Sequence, residues 1–158
     1  MPIAEFEFVV EGPPYTANNK NPKKKIELKL SVGKAAYVQW VADGRSIDAL
    51  PLNQALEVYI TTYCDIILYD VDNILKCTLD GLKEETDPAR FDSMNTKQKA
   101  LSLTYRPIYK DDQLIYKLTS ERIERGTLAY ALDSPSFLVE QAVKRQPFAE
   151  FLHIVLRW

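Results

Sequence analysis

The stretch "LEVYITTYCDIILYDVDNILKCTLDGLK", residues 56 to 83, carries the clearest structural signal in the chain. Its beginning is dense in Val, Ile, Thr and Tyr, which favours a β-strand over about 55–64. Asp70 and Asp72 interrupt the apolar run, and "NILKCTLDGLKEE" after them has the spacing of an amphipathic helix. The side chains expected in the core are Ile74, Leu75, Leu79 and Leu82. The stretch therefore predicts a strand that leads, through two acids, into a helix.

Strand and helix patterns also flank this stretch on its N-terminal side. Residues 3–10 alternate apolar and polar side chains, which is typical of a half-buried strand. Asn21 and Pro22 are suited to cap and open a helix over 22–42, although "IELKLSV" within it also alternates with period two, as a strand would. The helix face expected to be buried carries Ile26, Leu30, Tyr37 and Val41.

The second half of the chain predicts more strands than helices. Residues 84–100 are polar and turn-rich, which indicates a long loop or mobile insertion. "LSLTYRPIYKDDQLIYKLTSERIE" predicts a short strand, a connection broken by Pro107 and a second strand over about 113–124. Ser134 and Pro135 open a helix, and "FAEFLHIVLRW" closes the chain as a strand. The order β, α, β, α, β, β, α, β predicts an α+β fold, with a mixed β-sheet packed against helices.

Composition points to one cytoplasmic domain that spans residues 1–158. Hydrophobic residues make up 46% and charged residues 27%, and neither a signal peptide nor a membrane-spanning apolar run is present. We therefore expect no membrane association. Cys64 and Cys77 lie in apolar runs without metal-site spacing, so reduced core thiols are expected and a zinc site is disfavoured. The one histidine, His153, is expected to be a satisfied strand residue rather than a catalytic one.

Net charge is −2, which removes the global argument for nucleic-acid binding. Local basic patches remain, first of all "NNKNPKKK" with Lys20, Lys23, Lys24 and Lys25, and then the segment around Arg122. Either patch alone is also what an ordinary solvated surface would show.

The paired aspartates have a structural and a chemical interpretation. A single capping acid at the helix start, with Lys76 one turn after Asp72, would give an N-cap and an ion pair. An EF-hand is excluded because Ile74 and Leu75 replace its oxygen ligand and glycine. A haloacid-dehalogenase phosphatase motif is matched only in part, and no glycine-rich phosphate loop occurs. Mg²⁺, which prefers carboxylates and keeps several waters, suits two or three aspartates, and phosphodiester hydrolysis is its natural reaction here.

A second acidic pair, Asp111 and Asp112, opens the strand predicted over 113–124. This pair could lie beside the first acids and complete a metal site. It is also compatible with a plain β-turn.

Four segments in this order resemble the RusA-type Holliday junction resolvases: "EGPPYTANNK", "YDVDNILKCTLDGLK", "YKDDQLI" and "SPSFLVEQA". The second is the most specific, because it keeps the pattern D-x-D-N-x-x-K-x-x-x-D-x-L. The resemblance implies a homodimeric, Mg²⁺-dependent endonuclease, with Mn²⁺ as a substitute, that cuts branched DNA in recombination and repair. By position it implies that Asp70, Asp72 and Asp112 hold the metal and that Lys76 stabilises phosphate charge or orients water. The supporting residues would be Asn73, Asp80 and Asp111.

The chain departs from the family in two respects. About twenty extra residues, roughly 85–107, precede the second acidic pair, and the chain is slightly acidic where these resolvases are often basic. The alternative is a non-catalytic nucleic-acid-binding or assembly protein on the same fold, whose acids only cap and pair.

Overall fold

Four strands lie side by side in one mixed sheet in the computed structural model, which describes residues 4–11, 22–64, 71–84, 88–124, 136–145 and 150–158. The strands are β1 (Glu5–Glu11), β2 (Leu56–Cys64), β3 (Ile115–Glu124) and β4 (Phe151–Arg157). Their order across the sheet is β1-β4-β2-β3. β4 runs antiparallel to β1 and to β2, whereas β2 and β3 are parallel. The expected α+β fold with a mixed sheet is confirmed.

Five helices accompany the sheet in the described residues: α1 (Pro22–Ala42), α2 (Val71–Leu82), α3 (Pro88–Asp92), α4 (Thr96–Thr104) and α5 (Phe137–Arg145). α1 and α2 cover one face, where Phe8, Ile60 and Ile154 are fully buried or nearly so. α5 covers part of the opposite face over Tyr63 and Phe151. The predicted capping residues of that last helix, 134 and 135, lie outside the described residues. None of the described helices is long and apolar enough to cross a membrane.

The core faces of the two long helices match the predictions unequally. On α2, Ile74, Leu79 and Leu82 are buried and Leu75 packs against the same core, as expected. On α1 the predicted face is wrong except for Tyr37, which is partly buried and packs against the core. The buried stripe consists of Leu28, Val32, Ala36 and Trp40, whereas Val41 is 48% exposed.

Aromatic packing at the end of α1 accounts for its orientation. The Trp40 ring lies edge-on to Phe6 with centroids 5.1 Å apart and stacks on Trp158 at 6.1 Å. A side chain four residues earlier on a helix shares the same face, so anchoring Trp40 turns Ala36 and Val32 inward. The predicted residues Ile26 and Leu30 are only partly buried.

The segment expected as a loop and a short strand is helical instead. Residues 88–92 form α3, and "TKQKALSLT" forms α4, within the range of the expected insertion at 85–107. The reason is a capping box: Asn95 Oδ1 accepts a hydrogen bond from the Gln98 amide at 2.9 Å, and Gln98 Oε1 accepts one from the Asn95 amide at 3.0 Å. This pair starts a helix, and it outweighs the short alternation in "LSLTY" that favoured a strand.

The connection from β2 through α2 to β3 decides where the acids lie. Because β2 and β3 are parallel, the chain between them must return across the sheet. The helix α2 makes this return, since its last turn contacts Tyr109, close to the start of β3. The first turn of α2 therefore lies towards the end of the sheet where β2 ends. Asp111 and Asp112, just before β3, lie at the opposite end of the sheet, where Leu56 at the start of β2 is paired with Ile115.

Candidate functional site

The first acidic pair lies at the start of α2. The helix begins at Val71, so Asp70 immediately precedes it and Asp72 is its second residue. Asp70 and the side chains of Asp72 and Asn73 lie outside what the structure describes. Lys76, one turn further along the helix, is exposed. The predicted roles of these four residues stay predictions.

The second acidic pair contains two residues with different surroundings. The Asp111 side chain caps a short 3-10 turn over 112–114, and its Oδ1 accepts a hydrogen bond from the Gln113 amide at 2.9 Å. Asp112 instead contacts two side chains, those of Tyr109 and Lys83. Its Oδ1 accepts a hydrogen bond from the Tyr109 hydroxyl at 2.7 Å, and its Oδ2 lies 3.2 Å from Lys83 Nζ. Asp111 thus has a local capping role, as in the β-turn interpretation, whereas Asp112 takes part in a tertiary network.

Lys83 links this network to Asp80, a predicted supporting residue. Lys83 Nζ lies 3.1 Å from Asp80 Oδ1, and Lys29 Nζ of α1 lies 3.5 Å from Asp80 Oδ2. Asp80 is only 12% exposed, so both cations compensate a largely buried carboxylate. The result is a chain of alternating charges, Lys29, Asp80, Lys83 and Asp112, which joins α1 to the end of α2 and to the start of β3.

The pKa values of two members follow from these contacts. Partial burial lowers the pKa of Lys83, but the hydrogen bonds and charges of Asp80 and Asp112 outweigh it, so the pKa is raised overall. For Tyr109, burial is the largest cause and the hydrogen bond to the Asp112 carboxylate the next, and both raise the pKa. Lys83 therefore stays charged and Tyr109 stays neutral over the physiological pH range.

The C-terminal end of α2 fixes the network in position. The Tyr109 hydroxyl lies 3.1 Å from the Leu79 carbonyl oxygen, and the Ile108 amide donates to the Leu82 carbonyl at 2.9 Å. The Leu79 carbonyl also accepts a hydrogen bond from the Lys83 amide at 3.1 Å, whereas the Leu82 carbonyl at the helix end is paired by the amides of Ile108 and Tyr109. Lys83 adds positive charge at the end where the helix dipole favours it. Asp112 is thus held beside the last turn of α2.

Within one chain, this arrangement separates Asp112 from Asp72. Leu79 follows Asp72 by seven positions on α2, which at 1.5 Å per residue is roughly 10 Å along the helix axis. Two carboxylates that share one Mg²⁺ lie within about 4 Å of each other, because each ligand bond is about 2.1 Å long. Asp80 and Asp112 meet in the structure through Lys83, near the last turn of the helix, whereas the Asp72 backbone lies in its first turn. The described residues, which include neither Asp70 nor the Asp72 side chain, contain no group of three side chains that could hold a metal ion.

Sequence reasoning missed three members of this network. Lys83 was detectable, because it follows Asp80 by three positions on a helix. Lys29 and Tyr109 reach the network through tertiary packing, and no local pattern marks them.

Among the remaining predicted residues, His153 and Cys77 are buried within the fold. His153 is buried, and its Nε2 lies 2.7 Å from Glu7 Oε2, which also accepts a hydrogen bond from the Ser136 hydroxyl. His153 is therefore a satisfied strand residue, as expected. Cys77 is a buried, reduced thiol, also as expected. Lys20, the side chains of Lys23 to Lys25 and the side chain of Cys64 lie outside the described residues.

A cleft of about 650 Å³ lies beside the charge network, between α1, the end of α2 and the helices α3 and α4. Its walls are largely apolar and include Ile26, Leu30, Phe91, Met94 and Tyr105. Two of the four α1 residues expected in the core, Ile26 and Leu30, thus line this cleft instead.

No protein-family model matches the chain, and no curated protein matches it significantly. The resemblance to the RusA-type resolvases therefore rests on the residue pattern alone.

Proposed function

We propose that the protein is a Mg²⁺-dependent endonuclease that cuts branched DNA, four-way junctions in particular, in recombination and repair. The observation that carries the proposal is the start of α2. The helix begins between Asp70 and Asp72, and the exposed Lys76 follows one turn later. An N-cap needs only one side-chain acceptor, so two acids at this point leave one carboxylate beyond the capping requirement.

The donor chemistry suits the proposed metal. Asp70, Asp72 and Asp112 offer carboxylate oxygens only, the ligands that Mg²⁺ and Mn²⁺ prefer. When bound, such an ion lowers the pKa of water and offsets charge on the phosphate. Lys76 would stabilise phosphate charge, and Lys20 with Lys23 to Lys25 at the start of α1 would contact the DNA backbone.

The position of Asp112 argues for a homodimer. Asp112 lies beside the last turn of α2 and Asp72 lies in the first turn, so a metal that binds both needs Asp112 from a second chain. A four-way junction also presents two equivalent strands, which a two-fold dimer meets with two equivalent sites. Asp112 would exchange its contact with Lys83 for the metal, leaving Lys83 paired with Asp80.

Conservative substitutions test the proposal. We expect Asp70→Asn, Asp72→Asn and Asp112→Asn each to abolish Mg²⁺-dependent cleavage of a four-way junction, because the amide keeps the shape but loses the ligand charge. Asp111→Asn is the matched control: asparagine can cap the 3-10 turn as aspartate does, so cleavage should persist. Circular dichroism would verify that every variant folds. Parental cleavage rates in the Asp70 or Asp72 variant would contradict the proposed metal site.

The alternative function is non-catalytic nucleic-acid binding or assembly. The observation that favours it is the closed charge network, in which Asp80 and Asp112 are both already paired. A parent protein that binds junction DNA but hydrolyses none in Mg²⁺ or Mn²⁺ would support this alternative.

A further inference from the structure

β3 is one of the two edge strands of the sheet, and β1 is the other. β3 pairs with β2 on one side, and none of the other described strands pairs with it on the other side. It is ten residues long, contains no proline, and exposes Tyr116 by 66% and Leu118 by 40%. Long exposed edge strands are templates for pairing with another chain.

The side chains of β3 favour one particular self-pairing. In an antiparallel pair of identical strands, the two-fold axis lies midway between the two copies of one residue, which are paired with each other. It cannot lie between neighbouring residues, because hydrogen-bonded and non-hydrogen-bonded pairs alternate along the strands. The phrase "an axis at" a residue names the residue that is paired with its own copy. An axis at Lys117 or at Glu121 opposes like charges. An axis at Leu118 opposes Lys117 to threonine, and one at Ser120 opposes Lys117 to isoleucine.

An axis at Thr119 gives complementary pairs throughout the centre of the strand. It opposes Lys117 to the partner's Glu121 twice, once on each side of the axis. It also opposes Leu118 to the partner's Ser120 and Thr119 to its own copy. Cross-strand pairs of opposite charge and threonine pairs both stabilise antiparallel sheets.

We infer that a second copy of this chain pairs with β3 in antiparallel orientation, with Thr119 on the two-fold axis. Lys117 and Glu121 are exposed on the same face of the strand. Lys117 Nζ now lies 5.5 Å from the centre of the Tyr59 ring, and Glu121 accepts a hydrogen bond from the Thr61 hydroxyl at 3.3 Å. Both side chains thus lie on the same face of the sheet, and a partner strand added beside β3 would continue that face. Leu118, opposite the buried Val58 in the β2 ladder, would be covered by the partner.

The inferred pairing specifies the interface of the homodimer in the proposed function, and to that extent it rests on that proposal. The argument for the pairing comes from the edge of β3 and does not depend on DNA cleavage. Antiparallel pairing places the start of each β3, next to Asp112, beside the end of the partner's β3. At that end of the partner's sheet, β2 leads into α2.

Cysteine cross-linking tests the register without DNA or metal. In the inferred pairing the two Thr119 Cα atoms lie about 5 Å apart, within disulfide range. The two Ser120 Cα atoms are offset by two residues and lie roughly 8 Å apart, beyond it. We therefore expect Thr119→Cys to form a covalent dimer under mild oxidation, while Ser120→Cys and the parent do not. Efficient cross-linking of the Ser120 variant instead would overturn the register.

Charge exchange tests the same pairing in solution. By sedimentation between 1 and roughly 100 µM, Lys117→Glu and Glu121→Lys should each weaken the dimer at least tenfold, because each opposes like charges twice. The double variant should restore it, and Lys97→Glu on the exposed side of α4 should leave it unchanged. A parent that stays monomeric throughout, or a dimer indifferent to both single variants, would overturn the interface. Neither the cross-linking nor the sedimentation experiment measures DNA cleavage. The inferred interface could therefore be found in a protein without nuclease activity, and it could be absent from an active nuclease.

Discussion

At the scale of single residues, Asp112 takes part in a tertiary charge network, and it is also the third metal ligand of the proposed function. Tyr109 and Lys83 hold it at 2.7 Å and 3.2 Å, and Asp80 holds Lys83 from the other side. Asp111, its neighbour, caps its own turn. The sequence pattern could identify the acidic pair as a candidate, but it could not distinguish the two members, because the distinction comes from Tyr109 and Lys83 folding onto one of them.

Tyr109 gives this network a measurable pH dependence. In the unfolded chain a tyrosine loses its proton near 10.0, while burial and Asp112 hold the folded pKa of Tyr109 higher. Above pH 10 the folded state therefore binds more protons, and its stability falls by up to about 1.4 kcal/mol per pH unit for this group. The stabilisation is fully present below pH 10 and is lost as the pH rises further.

We expect Tyr109→Phe to remove that contribution. At pH 7 the variant should unfold about 1–3 kcal/mol more easily, since the partly buried Asp112 carboxylate loses the hydroxyl that donates to it. Between pH 10 and 11 its stability should decline less steeply than that of the parent. Urea unfolding at each pH measures both effects. Parallel curves from pH 8 to 11 would mean that Tyr109 titrates alike in both states.

At the scale of elements, local patterns predicted most strands and helices, and tertiary contacts decided the rest. The dense β-branched run gave β2, and Pro22 opened α1 as predicted. The buried face of α1 was predicted wrongly because Trp40 and its aromatic partners orient the helix. The helix α4 was missed because its signal is a capping box rather than an apolar period.

The close approach of α1 and α2 is a second tertiary feature of this kind. A Cβ atom added at Gly81 would lie 2.8 Å from the Lys29 carbonyl oxygen and 3.0 Å from Val32 Cβ. The first contact is with backbone, which cannot rotate away, so the helices would have to separate.

We therefore expect Gly81→Ala to destabilise the protein by about 1–3 kcal/mol, despite the better helix propensity of alanine. Chemical denaturation measures the change. Glu27→Ala on the exposed side of α1 serves as the control and should change stability by less than about 0.5 kcal/mol. A Gly81 variant as stable as the parent would show that the two helices can move apart freely.

At the scale of the whole molecule, the topology separates acids that the resemblance would unite. The parallel β2 and β3 require α2 to run back across the sheet, and Asp112 is tied to its last turn while Asp72 lies in its first. Sequence spacing alone cannot reveal this, because it contains neither strand order nor the direction of a crossover. In the proposed enzyme, the third ligand of each metal therefore comes from the partner chain.

Mixing two inactive variants tests this central claim most directly. Asp72→Asn and Asp112→Asn should each fail to cut a four-way junction in Mg²⁺. When the two proteins are mixed and allowed to exchange subunits, each mixed dimer contains one site with an intact Asp72 from one chain and an intact Asp112 from the other. We predict that the mixture regains nicking at one strand of the junction. If the parent cleaves and the mixture stays inactive despite proven exchange, Asp112 does not act across the dimer.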